Sequence, residues 1–224
     1  MGLNHKYNGE TKVGRVEINA FTDRELQAID YYIRLVRGHY LFSRCWLLVE
    51  GESDFHLMPL LFELMGHSQD QVSFSVLEIS QVIDKGEPLI KFAKMLGIQW
   101  FLMADGDQAG NDYVNRAENH LATDESLTDR ARALTCADIE HEFWHNGYDE
   151  FIENMVPNTR EIENKAAGDD VKKAKLLINA AIKQAGGKSA FAQILVDEVR
   201  RRGENSVPQT MRDIIARVVQ LAGG

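Results

Sequence analysis

Two apolar runs in this sequence each end in acidic residues grouped around a glycine. Cys45-Trp46-Leu47-Leu48-Val49 leads into Glu50-Gly51, with Asp54 following, and residues 98–103 lead through Ala104 into Asp105-Gly106-Asp107. A continuous apolar run of this length is a strand buried on both faces, which implies a parallel sheet covered by helices on either side. The acidic groups then stand at the carboxyl ends of the strands, where open parallel sheets gather functional groups.

The rest of the chain follows the same alternation. Residues 1–21 are polar and without clear periodicity, and read as a tail. Thr22-Asp23-Arg24-Glu25 has the form of a capping box, and Leu26, Ile29, Ile33 and Val36 repeat at helical spacing up to Gly38. After the strand at 45–49 the pattern predicts a helix over 53–65, with Pro59 near its first turn or at a kink. It goes on to a strand over 74–79, a helix over 87–96 closed by Gly97, the strand over 98–103, a helix over 111–121 and a short strand over 132–136. Beyond Ile139 only helical stripes occur, over 172–184, 189–202 and 207–221, broken at Gly186-Gly187 and Gly203. The division read from this is a tail (1–21), a helix preceding the core (22–40), an α/β domain (41–150) and a helical domain (151–224).

Composition narrows the functional classes. The chain has 224 residues, 44% of them hydrophobic, enough for an ordinary packed core. No stretch is apolar for long enough to span a bilayer and the N-terminus lacks the centre of a secretory signal, so the reading is cytoplasmic, with no membrane partner. Gly2 does not make a myristoylation signal, because Lys6 stands where that pattern wants Ser or Thr. Cys45 and Cys136, the two cysteines, each sit in an apolar run and form neither a disulfide framework nor a paired zinc site. A formal net charge of -9 argues against holding DNA chiefly by a basic surface, but it suits carboxylates that carry divalent cations to a phosphate.

Glu50 closes one strand and Asp54 opens the next helix, so both carboxylates can face one point. Asp105 and Asp107, two apart in extended backbone, lie on one side of the strand with Cα atoms about 7 Å apart. If the two strands are neighbours, four carboxylates converge, and they ionise together only when cations neutralise them. Oxygen ligands favour magnesium or manganese, and two such ions can activate a water and stabilise the leaving oxygen of a phosphodiester.

Val49-Glu50-Gly51-Glu52-Ser53-Asp54 together with Asp105-Gly106-Asp107 resembles the paired signature of Toprim domains, found in primases, type IA and type II topoisomerases, recombination proteins and the overcoming-lysogenization-defect (OLD) nucleases. The finer resemblance, over most of the chain from residue 44, is to the OLD nucleases. It rests on Asp at position 54, residues 57–61 with Pro59, Lys85-Gly86, Asp138-Ile139-Glu140 and the helical tail containing Lys188. The resemblance implies an α/β Toprim (Rossmann-like) parallel sheet flanked by helices, plus a C-terminal helical subdomain. It implies a DNA endonuclease that hydrolyses phosphodiester bonds with two Mg2+ or Mn2+ ions, Ca2+ substituting without turnover. The metals would be held by Glu50, Asp54, Asp105 and Asp107 with Asp138 or Glu140, and Lys188 would steady charge in the transition state beside the catalytic Glu50, Asp105 and Asp107. OLD proteins place an ATPase domain ahead of this region; no Gly-rich phosphate loop precedes Thr22, so the chain reads as the nuclease part alone, with DNA and that ATPase domain as partners.

Two other readings remain open at this point. His141-Glu142-Phe143-Trp144-His145 fits the zinc-protease pattern of two histidines one helical turn apart with a glutamate between, Glu161 or Glu163 being the available third ligand. A Toprim fold can also bind DNA or a partner without cutting. On the bland side, acids at strand ends commonly cap the next helix, Asp138 and Glu140 suit a helix dipole, Glu52 points to solvent, and Lys85 and Lys188 are ordinary surface lysines.

Overall fold

The structure, a computed structural model, describes residues 2–7, 10–35, 38–80, 82 and 86–223. Where the sequence predicts an irregular tail, the chain forms an antiparallel hairpin, β1 (Gly2–Tyr7) and β2 (Glu10–Arg15). Gly14 lets this hairpin approach the body: a Cβ there would stand 2.6 Å from the backbone of Leu96. Helix α1 (Asp23–Leu35) starts at the expected capping box, with the Glu25 carboxylate accepting the Thr22 backbone N–H at 2.6 Å and Thr22 Oγ1 accepting the Glu25 N–H at 3.3 Å.

The centre is then built as β3 (Cys45–Val49), α2 (Glu52–Leu64), α3 (Gln69–Val72), β4 (Phe74–Glu78), α4 (Glu87–Leu96), β5 (Gln99–Ala104), α5 (Gln108–Ala117) and β6 (Ala131–Ala133). The four strands β3 to β6 pair in parallel in the order β4-β3-β5-β6. Successive side chains of β3 point to opposite faces. Cys45, Leu47 and Val49 enter one core with Phe101 and Met103 of β5 and Leu57 and Leu61 of α2. Trp46 and Leu48 enter the other, with Trp100, Leu102, Ile29 of α1 and Phe92 of α4. Both faces are dry, which is why the run carries no polar alternation. Trimming Leu47 to Ala would cost about 2–5 kcal/mol through the cavity it leaves.

From β3 the chain first passes to β4 on one side and later to β5 on the other, so the crevice outside the carboxyl ends of β3 and β5 is the switch point of the sheet. Several boundaries differ from the sequence pattern. Helix α5 begins three residues early because Asp107 caps it. Pro59 lies in the middle of α2 and deprives the Phe55 carbonyl of its helical donor. Strand β6 is short, and Cys136 sits beyond it, half-buried, rather than within a buried strand. Lys85 lies outside the described residues.

The remaining chain is helical: α6 (Ile139–Phe143), a π turn at Trp144–Tyr148, α7 (Asp149–Asn154), α8 (Thr159–Ala166), α9 (Asp170–Ala185), α10 (Lys188–Arg202) and α11 (Gln209–Leu221). Leu177, Ile178, Phe191, Leu195, Ile214 and Val218 from these helices join the same core as α2 and the β3 face. Residue 150 lies within α7, and the core runs on across it. Among the described residues no helix is long and apolar enough to cross a membrane.

Candidate metal centre

Glu50 directly follows β3, and Asp105 directly follows β5. The Asp105 backbone N–H donates to Glu50 Oε2 at 3.2 Å, tying the two strand ends together. Asp54, in the first turn of α2, accepts the Gly51 N–H on Oδ2 at 3.0 Å, while its Oδ1 is buried without a hydrogen-bond partner. The glycine of Asp105-Gly106-Asp107 has a steric cause: a Cβ at Gly106 would lie 2.1 Å from the Cys136 carbonyl oxygen, which accepts the Gly106 N–H at 3.0 Å. Gly110 is equally constrained, its notional Cβ lying 1.9 Å from the Asp105 carbonyl oxygen.

These elements surround a cavity of about 160 Å³. Asp54, Asp105, Asp138, Glu140 and His141 line it from the strand ends and α6; Lys175 and Asn179 of α9 and Lys188 of α10 line it from the other side. Asp138 caps α6, its Oδ1 accepting the His141 backbone N–H at 2.8 Å and lying 2.6 Å from His141 Nδ1. Glu140 is buried and accepts the Ser53 hydroxyl. Asp107 does not line the cavity: its carboxylate accepts the Gly110 N–H at 2.8 Å and caps α5. Glu52 is exposed, as the sequence suggests.

The electrostatics follow from crowding and burial. Burial holds the Asp54 carboxyl well above the usual range, and the charges of Asp105, Glu140 and Glu50 add to this against the pull of the Gly51 N–H. Burial also lifts Asp105, to about 7, with Glu50, Asp138, Glu140 and Asp107 contributing. Glu140 is raised by burial and by Asp138, partly offset by the Ser53 hydroxyl and Lys188. Asp138 goes the other way: burial raises it, but the His141 ring and backbone hydrogen bonds, with the charges of His141 and Lys188, bring it below its ordinary value.

An anionic cavity with a fully buried, half-partnered carboxylate fits a divalent cation, because a cation both completes Oδ1 of Asp54 and offsets the repulsion. Among the described residues no three His, Cys, Asp or Glu side chains are gathered closely enough to hold one ion together, so the acids stand as an open set.

The zinc-protease pattern does not assemble. Helix α6 ends at Phe143, and His145, in the π turn that follows, is exposed whereas His141 is buried. His141 is engaged by Asp138, and Glu142 is buried with both oxygens accepting from Thr135 Oγ1 at 3.0 and 2.8 Å. Glu161 pairs with Lys165 and Glu163 with Lys173. The motif nonetheless brings one residue, His141, to the cavity by a route its zinc pattern does not describe. Lys175 and Asn179 were not legible as cavity residues either; their i,i+4 spacing puts them on one face of α9, but nothing in the sequence says where that face docks.

Residues 41–107 match the family model described as the overcoming lysogenization defect protein-like Toprim domain. This segment is similar to an OLD-like Toprim domain. The chain is 32% identical over 218 residues to the uncharacterized protein YbjD of Escherichia coli K12, an alignment that takes in 94% of this chain but 36% of YbjD. The fold is shared with the C-terminal region of the Xanthomonas campestris pv. campestris OLD protein (TM-score 0.62, 18% identity, 83% of this chain and 97% of that one). It is shared equally with the C-terminal region of the Burkholderia pseudomallei OLD protein (TM-score 0.62, 20% identity, 81% and 99%). The Toprim sheet and the helices that follow it are thus one architecture with those regions.

Proposed function

We propose that the cavity is a divalent-metal centre that hydrolyses phosphodiester bonds in DNA. Asp54 and Asp105 from its lining are its ligands together with Glu50, which is tied to Asp105, and a further carboxylate from Asp138 or Glu140; Asp107 joins them only by giving up its cap on Gly110. The observation that carries this reading is Asp54, a buried carboxylate with an unpartnered Oδ1 crowded by other acids, an arrangement that a cation relieves.

Two bound Mg2+ or Mn2+ ions would supply Lewis-acid chemistry there, lowering the pKa of water and drawing charge from the phosphate. The chain's own residues do the rest. The contact from Asp105 N–H to Glu50 keeps the two strand-end acids in register. His141 orients Asp138 through its ring nitrogen, and Ser53 orients Glu140. Lys188 stands at the rim, where it steadies charge on a phosphate entering between the strand ends and α10. No protein nucleophile is required, and the site needs no covalent intermediate. A cytoplasmic setting and regulation by an ATPase portion of a longer protein, as the OLD resemblance implies, belong to the same proposal.

The test is supercoiled plasmid incubated with Mg2+ or Mn2+ and the wild type, Asp105→Asn or His145→Ala. Cutting that needs metal, is lost in Asp105→Asn and survives in His145→Ala supports the nuclease. Intact plasmid under all metal conditions, or peptide cleavage lost in His145→Ala, would sink it.

A further inference from the structure

Beside the acidic cavity lies a second, larger and more open groove of about 870 Å³, within the range of small-ligand sites. Phe55, His56 and Leu60 of α2 form one wall, and Gln69 and Gln193 add polar groups. Lys188 lines both this groove and the acidic cavity, and the first turn of α2 borders both, with Glu52 on the groove side and Ser53 on the cavity side. The two depressions therefore adjoin at Lys188.

The chemistry of the groove differs from that of the cavity. Phe55 keeps 37% of its surface exposed, and its ring stands edge-on to His56 with centroids 5.3 Å apart. Among the described residues that line the groove, Lys188 is the only lysine or arginine, and Glu52 opposes phosphate on the same wall. Such a surface disfavours a sugar-phosphate backbone along its length. It suits unpaired bases, which offer a π-face to an aromatic ring and amide-sized edges to glutamine.

We infer that this groove binds unpaired bases of the DNA strand next to the scissile phosphate, stacking one on Phe55, while Lys188 holds the phosphate between groove and cavity. The inference rests on the nuclease reading and adds a substrate class to it: DNA with a frayed, flapped or single-stranded segment beside the cut.

The test measures binding in Ca2+ and cutting in Mn2+ for a blunt duplex and for the same duplex with a single-stranded tail carrying 2-aminopurine. Wild type, Phe55→Ala and Phe55→Trp are compared, with thermal melts to confirm that each variant is folded. The expected result is quenching of the tail fluorophore and tighter binding of the tailed duplex. Phe55→Ala should weaken that binding about tenfold, the scale of one base-aromatic stack. Phe55→Trp should restore it, and blunt-duplex cutting should be unchanged throughout. Equal binding of both duplexes by wild type and Phe55→Ala, with cutting intact, overturns the groove assignment and leaves the nuclease reading standing; it is also the outcome if the groove's occupant is a protein segment. Loss of tail binding in Phe55→Ala without any metal-dependent cutting by the wild type keeps the base site and removes the nuclease.

Discussion

The Asp138 carboxylate accepts two hydrogen bonds on one oxygen from a single residue, the backbone N–H of His141 at 2.8 Å and the ring Nδ1 of the same histidine at 2.6 Å. His141 thus acts on the acidic cavity through Asp138. Replacing it with Ala should leave the fold intact, since the backbone cap persists, and should weaken divalent-metal affinity about 10–100-fold, the usual effect of removing an outer-shell partner. Isothermal titration with Mn2+ reads this directly; unchanged affinity would show that Asp138 needs no orienting group.

Asp105 carries the clearest pH dependence. Its carboxyl is raised to about 7 in the folded chain against an ordinary 3.8, so as pH climbs through that interval the unfolded form ionises while the folded form still holds its proton. The metal-free protein should therefore lose stability with rising pH across this window and level off above it. Added Mn2+ should raise the melting temperature strongly at pH 8 and little at pH 5, because metal and proton compete for the same oxygens. Melts in chelator and in Mn2+ across this range, with Asp105→Asn as the control whose slope is shallower because only the raised Asp54 and Glu140 remain, decide the matter.

Asp54→Asn separates stability from metal binding. The side chain keeps an oxygen for the Gly51 N–H and gives up a buried ionisable group. The expected outcome in chelator at pH 8 is a protein more stable by about 1–2 kcal/mol, a common scale for relieving strain at a functional site. The same variant should show no metal-induced shift in melting. Chemical denaturation with and without Mn2+ measures both.

Gly106→Ala tests the backbone that carries the acids. The new Cβ meets the Cys136 carbonyl, so either that segment or the strand end must move. A loss of about 1–3 kcal/mol is expected, the range for overpacking, together with reduced cutting as Asp105 is displaced. Urea unfolding and a plasmid assay on one preparation give both quantities; wild-type values in each would show that the close approach is unimportant.

The sheet was legible because its interior is uniform. An unbroken apolar run as short as Cys45–Val49, bounded by Glu50-Gly51, suits a strand covered on both faces better than a helix, and Gly97 stops α4 where its backbone turns left-handed at φ 75°. The adjacency of β3 and β5, which the sequence leaves conditional, follows once the chain reverses direction across the sheet. Other features depend on contacts that the residue pattern does not announce. The hairpin at the N-terminus shows too little apolar patterning to announce itself, and its approach to Leu96 rests on the bare backbone of Gly14. Asp107 looks equivalent to Asp105 in sequence, but Gly110 claims its carboxylate. The histidine pair was equally opaque, since Asp138 engages the His141 ring while His145 is left exposed.

The acids of the cavity and its lysines answer to different geometrical rules. Glu50 and Asp105 are indexed to strand ends by a period of two, and the pairing of β3 with β5 fixes them. Lys175 and Lys188 ride on helices, where one inserted residue swings every later side chain by about 100°. A single-residue insertion in α9 would change what meets the acids, but it would also turn Leu177 and Ile178 away from the core they share with the β3 face, so the lysines are held in phase by packing rather than by strand pairing.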